Sequence, residues 1–283
     1  MTVSIERAIQ EGATILQVAA IEESRREAAS LMAHVLGRDR SFLIAHSDES
    51  VTEEQHRTFK SLITRRSRGE PLQYITGHRE FFKLDFEVSP AVLIPRPETE
   101  LIVEAAIELC KDESAPIIAD IGTGSGCIAI SILHELVDAV AVATDISVAA
   151  LQIAQGNAER HGVQRRLTLV QSDCFAAVPR TKPFSLIVSN PPYVSDEELK
   201  HLGREVRFEP RSALAGGPDG LSVLRRLISE ARRFIRPEGY LVFEIGFGQS
   251  EAVEQLIDPR VWKLLEIRRD LQGTARTFVL QGS

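Results

Sequence analysis

The chain has 283 residues, of which 43% are apolar and 26% charged, the balance of a globular protein with one large domain or two modest ones, which excludes a fibrous, collagen-like or disordered chain. Lysine and arginine number 33 against 40 aspartates and glutamates, a net charge of −7, so a polyanionic phosphate backbone is not the expected partner. No apolar run approaches the ~20 residues of a membrane span, residues 1–10 lack the layout of a signal peptide, and three scattered cysteines (Cys110, Cys127, Cys174) read as free thiols, so a cytoplasmic protein away from membranes is expected.

Residues 1–70 read as helices only. Ser24-Arg25-Arg26-Glu27 has capping-box spacing, Ala28, Leu31, Met32 and Val35 follow at helical intervals, and Gly37 stands where a left-handed cap is wanted. Thr52-Glu53-Glu54-Gln55 opens a second helix that runs to about Arg68. That helix carries Arg57, Lys60, Arg65, Arg66 and Arg68 with no acid between Gln55 and Gly69, a face for an acidic partner or simply a solvated one.

Gly69-Glu70-Pro71 breaks the helical pattern and starts a linker, 71–95. Phe82, Leu84, Phe86 and Val88 alternate with polar residues, the period of a half-buried strand in a linking β-hairpin. Pro97 suits the first position of a helix. From Ile117 short apolar strands (117–121, 140–144, 167–171, 186–189, 240–245) alternate with helices near 126–136, 148–161 and 221–235, and 261–269 with 277–281 form a closing hairpin. The expected fold is therefore α/β, a mostly parallel sheet over residues 96–283 covered on both faces, behind a small all-helical N-terminal domain.

Two segments carry chemistry. Gly122-Thr123-Gly124-Ser125-Gly126 follows the first strand, where bare backbone and free helix N–H groups can approach a ligand. Asp145 ends the next strand, the place of a carboxylate that binds ribose hydroxyls, so the ligand is a nucleoside. Asp120, just before the glycines, is a carboxylate that could hold a cationic ligand. The second segment is Asn190-Pro191-Pro192-Tyr193, after the strand that ends at Ser189. Prolines stiffen it. They leave an amide side chain and a row of carbonyls able to accept hydrogen bonds from a substrate –NH2 group.

The glycine segment resembles motif I of class I S-adenosylmethionine methyltransferases. With Asn-Pro-Pro-Tyr it resembles those that act on planar nitrogen. Leu93–Glu100 (Leu-Ile-Pro-Arg-Pro-Glu-Thr-Glu), Glu209–Leu214 with Gly216-Gly217, and Glu244-Ile245-Gly246 narrow the likeness to the HemK/PrmC family, the peptide chain release factor glutamine methyltransferases. The resemblance covers essentially the whole chain. It implies a Rossmann-like, seven-stranded methyltransferase fold whose N-terminal domain binds the release factor. It implies a cofactor, S-adenosylmethionine (leaving as S-adenosylhomocysteine), held by Gly122, Thr123, Gly124, Ser125 and Gly126, with Asp145 on the ribose, Asp173 and Cys174 on the adenine side, and Asn190 also among its contacts. Relatives often carry tryptophan where this chain has Cys174, and Phe175 is the candidate replacement. Asn190, Pro191, Pro192 and Tyr193 match the loop that takes the target amide. No metal, no membrane, no nucleic-acid substrate and a monomer are expected.

A carboxamide nitrogen is a poor nucleophile, so such an enzyme works mainly by alignment. The Asn190 side-chain oxygen and the Pro191 carbonyl can hold the two N–H groups of the target amide, and Tyr193 either packs on that amide or forms wall. Three other readings compete: a nucleic-acid adenine or cytosine methyltransferase that flips a base into the same loop, a catalytically silent adaptor, and a dinucleotide oxidoreductase. The negative charge opposes the first, the intact glycine loop with Asp145 and Asn190 the second, and Asn-Pro-Pro-Tyr, which has no role in hydride transfer, the third.

Overall fold

The computed structural model describes residues 3–178 and 183–283. Two compact units emerge: Met1–Gly77 with Gly203–Phe208, and His78–Leu202 with Glu209–Ser283.

The first unit is helical: α1 (Ile5–Val18), α2 (Ser24–Leu36), α3 (Arg40–Ala45), α4 (Glu53–Ser67) and α5 (Leu72–Thr76). Its core gathers Leu16, Leu31, Met32, Phe59 and Ile63. Thr52 and Gln55 form the full capping box of α4, and Gly37 closes α2 at φ +62°. The box expected at Ser24 is absent: Glu23 is the N-cap and makes no side-chain cap bond. Glu27 instead pairs with Arg66, which is 2% exposed and also reaches Glu205 and the Glu70 carbonyl. Arg65 pairs with Glu70. Part of the basic stripe on α4 is thus spent inside the unit. A two-residue antiparallel pair, Val3–Ser4 with Ser50–Val51, lies in this region where only helices were expected. Such a short bridge leaves no alternation to read in the sequence.

The second unit opens with the hairpin His78–Phe81 and Leu84–Glu87. The expected linking hairpin forms, but its second strand begins at Leu84, because Phe82 and Lys83 take φ +47° and +62° to form the turn. A 3-10 turn, Pro97–Thr99 with Pro at its start, leads into α6 (Glu100–Cys110). The sheet strands are β1 (Ile117–Ile121), β2 (Val140–Asp145), β3 (Leu167–Gln171), β4 (Phe184–Ser189), β5 (Ile235–Glu244), β6 (Trp262–Arg269) and β7 (Ala275–Gly282), in the order β6-β7-β5-β4-β1-β2-β3. β7 runs antiparallel to both of its neighbours, β5 and β6, and the remaining pairs of the sheet are parallel. Helices α7 (Cys127–Glu135), α8 (Val148–Arg160), α9 (Ser222–Ala231) and α10 (Ser250–Glu254) complete the fold. Two apolar clusters cover the sheet faces. Helix α9 stops at Ala231 rather than 235, because Ile235 already pairs with Phe184 and β5 starts there.

Chain order reverses between β1 and β4, which lie side by side and parallel. In open α/β sheets this switch point leaves a crevice at the C-terminal strand ends. Both chemical loops emerge there. Among the described residues no helix is long and apolar enough to cross a membrane.

Candidate active site

The glycine loop turns tightly after β1. Gly122 and Thr123 donate their N–H groups to the Thr144 carbonyl at 2.9 and 2.8 Å, which ties the loop to the end of β2. Gly122 and Gly124 have φ +78° and +55°, and a Cβ at either would meet nothing within 4 Å. Their backbone is therefore bare toward open space. Gly126 differs: it caps α7 at φ +82°, and a Cβ there would press on Ile130 and Ala154 at 2.8 and 3.2 Å, so it serves packing.

A cavity of about 240 Å³ lies over this loop. Gly122, Thr123, Gly124, Ser125, Asp145, Asp173, Cys174, Asn190, Pro191 and Pro192 line it; Gly126 and Tyr193 do not. Asp145 is anchored, its Oδ2 accepting from Gly124 N–H at 2.9 Å and its Oδ1 from Ser147 N–H at 2.8 Å. Each oxygen keeps acceptor capacity for a hydroxyl. Asp173 is half-exposed and paired with Arg226 at 2.9 Å. Cys174 stands at φ +52° with its thiol pushed up to about 11 by burial. That keeps it protonated at neutral pH, an uncharged wall. Phe175 does not take tryptophan's place: it is buried and stacked on Phe234 at 4.7 Å, outside the lining. Aliphatic Ile146, Val223 and Leu227 line the cavity with Cys174.

Asp120 does not face the cavity. It is fully buried, accepts from the Thr123 hydroxyl at 2.6 Å and Ala129 N–H at 3.3 Å, and braces the loop from beneath. Burial pushes its carboxyl up to about 7, with Asp145 adding to the rise and those two bonds opposing it. Asp120 thus stands beneath the loop rather than in the cavity lining, where a carboxylate facing a cationic ligand is expected from the sequence.

Asn190–Tyr193 follows β4. The Ser189 hydroxyl donates to the Ile121 carbonyl at 2.6 Å and locks the two strand ends together. Gln249 holds the far end of the loop: its Nε2 donates to the Tyr193 carbonyl at 2.9 Å, while its Oε1 accepts from Gly246 N–H at 2.8 Å. Gly246 is required there, since a Cβ would stand 2.9 Å from the Tyr193 ring. The segment before α6 closes the site, fastened by Glu209, which accepts from Ile94 N–H at 3.2 Å and from Arg96.

Two residues with no role assigned from sequence complete the arrangement. Asn190 Nδ2 donates to Thr99 Oγ1 at 3.0 Å, and Thr99 Oγ1 donates to Glu244 Oε2 at 2.6 Å. The Tyr193 hydroxyl reaches Glu244 Oε1 at 3.3 Å. Glu244 is buried, and burial pushes its carboxyl up to about 7 against the Thr99 and Tyr193 bonds. A carboxylate ending the apolar strand 240–245 was the available signal.

The site thus presents a bare glycine turn, an anchored carboxylate, and a rigid amide-and-carbonyl loop across one cavity. Residues 7–77 match the family described as PrmC N-terminal domain, and residues 99–218 the methyltransferase small domain. The release factor glutamine methyltransferase of Nitratidesulfovibrio vulgaris is 42% identical over 92% of this chain and 89% of its own length. That of Moorella thermoacetica is 44% identical over 98% of each. In fold, a methyltransferase from Pyrococcus furiosus superposes with TM-score 0.52 at 18% identity, covering 71% of this chain and 90% of that one.

Proposed function

The chain belongs to the release factor glutamine methyltransferase family, and from this premise we propose that it transfers a methyl group from S-adenosylmethionine to the side-chain amide nitrogen, N5, of the glutamine in the Gly-Gly-Gln loop of class I peptide chain release factors. The observation that carries this reading is the Asn190 amide. Its Nδ2 donates to Thr99, which leaves its Oδ1 free to accept, and both Asn190 and Pro191 line the cavity.

The residues present fit the cofactor. The open space above Gly122 and Gly124 admits a ligand against the backbone, Asp145 offers two oxygens to ribose hydroxyls, and Ile146, Cys174 and Leu227 offer an apolar wall to a purine. Bound S-adenosylmethionine supplies an electrophilic sulfonium methyl group. The chain's part is to hold the nucleophile. Asn190 Oδ1 and the Pro191 carbonyl take the two N–H groups of the target amide, orient its nitrogen, and stabilise the positive charge that grows there. No general base is needed before attack, because the cationic product loses its proton readily. Tyr193, tied to Glu244, acts as wall behind the loop. The helical unit supplies binding surface for the protein substrate, whose remote binding energy positions the reacting amide.

The test is incubation of the purified protein with labelled S-adenosylmethionine and either a class I release factor or DNA. Label on the release factor glutamine is expected, with none on DNA or on a release factor whose target glutamine is replaced. Label on DNA alone overturns the reading.

A further inference from the structure

We infer that Thr99, held by Glu244, is a positioning residue that fixes which end of the Asn190 amide faces the substrate. This rests on the reading of Asn190 as an acceptor for the target amide. The argument is one of hydrogen count. An amide side chain has two ends of nearly equal shape, one donating and one accepting. In a site that must accept two N–H groups, the wrong end would point a donor at a donor. Nothing within Asn190 chooses between them.

Thr99 chooses. Its hydroxyl has a single proton, and with Glu244 ionised, above about pH 7, that proton is spent on Glu244 Oε2 at 2.6 Å. What the Thr99 oxygen presents to Asn190 is a lone pair, so it accepts from Nδ2 at 3.0 Å. Turning the amide over would set Oδ1 against that lone pair. The relay is largely shielded, since Thr99 and Glu244 are 2% and 1% exposed, although Thr99 borders the cavity. A buried polar group without a partner is costly, so the wrong orientation is strongly disfavoured. Glu244 is held in turn by the Tyr193 hydroxyl at 3.3 Å. The relay joins the 3-10 turn before α6, the end of β5 and the loop after β4, three segments far apart in the chain.

The consequence concerns specificity as well as rate. A locked Oδ1 welcomes the –NH2 of glutamine and repels the carboxylate of glutamate. An unlocked amide can turn its –NH2 outward and tolerate glutamate. Losing Thr99's polarity should therefore lower the methyl-transfer rate and erode discrimination between a release factor carrying glutamine and one carrying glutamate at the target position. The rate loss should be smaller than for Asn190→Ala, because a free amide still visits the productive orientation part of the time.

The experiment compares Thr99→Val, Thr99→Ser and Asn190→Ala in the full chain. It reads single-turnover methylation of release factor, cofactor binding, and affinity for release factor with glutamine or glutamate at the target. Thr99→Val is expected to slow methylation by about tenfold or more, with cofactor affinity unchanged and the glutamine-over-glutamate preference reduced. Thr99→Ser, which restores the hydroxyl, should recover most of both. Should Thr99→Val not fold, Thr99→Ala reads the same quantities. A normal rate and normal preference in the valine or alanine variant, with Asn190→Ala inactive, overturns the relay and leaves the reading of Asn190 standing. Normal rates in both Thr99→Val and Asn190→Ala overturn that reading itself.

Discussion

Asp145 Oδ2 accepts the N–H of Gly124 at 2.9 Å, so the carboxylate at the end of β2 shapes the glycine loop. Its Oδ1 does the same for Ser147 at the start of α8. Asp145→Ala therefore removes the ribose contact proposed for it and frees two backbone donors at once. Cofactor affinity should weaken by about 1.5–3 kcal/mol, the scale of a bond to a charged group, with the chain still folded. Asp145→Asn keeps an acceptor for one of the two backbone donors and should lose less. Calorimetric titration beside a melting curve decides: unchanged affinity in the alanine variant, with native melting, removes Asp145 from the site.

Two buried carboxyls make stability depend on pH in an unusual direction. Burial pushes Asp120 from 3.8 and Glu244 from 4.5 up to about 7 each. The folded state thus binds protons that the unfolded state has released. The stability this brings is complete below the unfolded values and lost as pH rises through about 7. Each group contributes a slope of at most about 1.4 kcal/mol per pH unit across that window. Melting temperature should fall between pH 5 and pH 8, and Asp120→Asn or Glu244→Gln should flatten the fall. Asp219 and Asp258, held down to about 2 by Arg225 and Arg260, act in the opposite direction but only in stronger acid. A melting temperature that climbs from pH 5 to 8 would contradict this account.

Arg66 is the corresponding weak point of the helical unit. It is 2% exposed and meets Glu27, Glu205 and the Glu70 carbonyl. Removing Arg66 leaves Glu27, 17% exposed, without its partner, at a cost of about 1–3 kcal/mol, while Glu205, 48% exposed, turns to solvent. Arg66→Ala should lower the denaturation midpoint sharply, while Arg57→Ala on the exposed stretch of the same helix should change it little. Equal effects of the two substitutions would show that the cluster does not hold the unit.

Much of this site is readable from one strand of logic. Gly122–Gly126, Asp145 and Asn190–Tyr193 stand directly after apolar strands, so the parallel sheet delivers them to one edge. What the sequence conceals is depth and partnership. Asp120 and Asp145 look alike, each a carboxylate at a strand's end, yet one lies under the loop and the other on the cavity wall. Phe175 sits next to Cys174 but points into the core, where Phe234 stacks on it. Thr99 and Asn190 are 91 residues apart, and no local pattern announces that they touch. Ser24 to Glu27 has the spacing of a cap, but a distant arginine outcompetes the local backbone for that glutamate. Short-range rules fail where a long-range charge offers the stronger partner.

Asn190 bears the sharpest expectation. Alanine removes one of the two acceptors proposed for the target amide and leaves Gly122, Gly124 and Asp145 in place. Cofactor binding should hold while methyl transfer falls by about 100-fold or more, the scale of losing one preorganised hydrogen bond at a reacting centre. Aspartate is the finer probe. It keeps an oxygen toward the cavity and favours positive charge growing on nitrogen, so it should retain more activity than alanine. It also sets a second oxygen opposite Thr99 Oγ1, whose one proton already serves Glu244 at 2.6 Å. Protonation of the new carboxyl supplies the missing donor, so activity of Asn190→Asp relative to wild type should rise as pH falls. Single-turnover rates across pH, run beside a cofactor titration, separate the cases. If Asn190 served only to form the turn, both variants would lose stability or lose nothing, and the chemical step would not respond. A normal single-turnover rate for alanine would mean that the amide is held elsewhere.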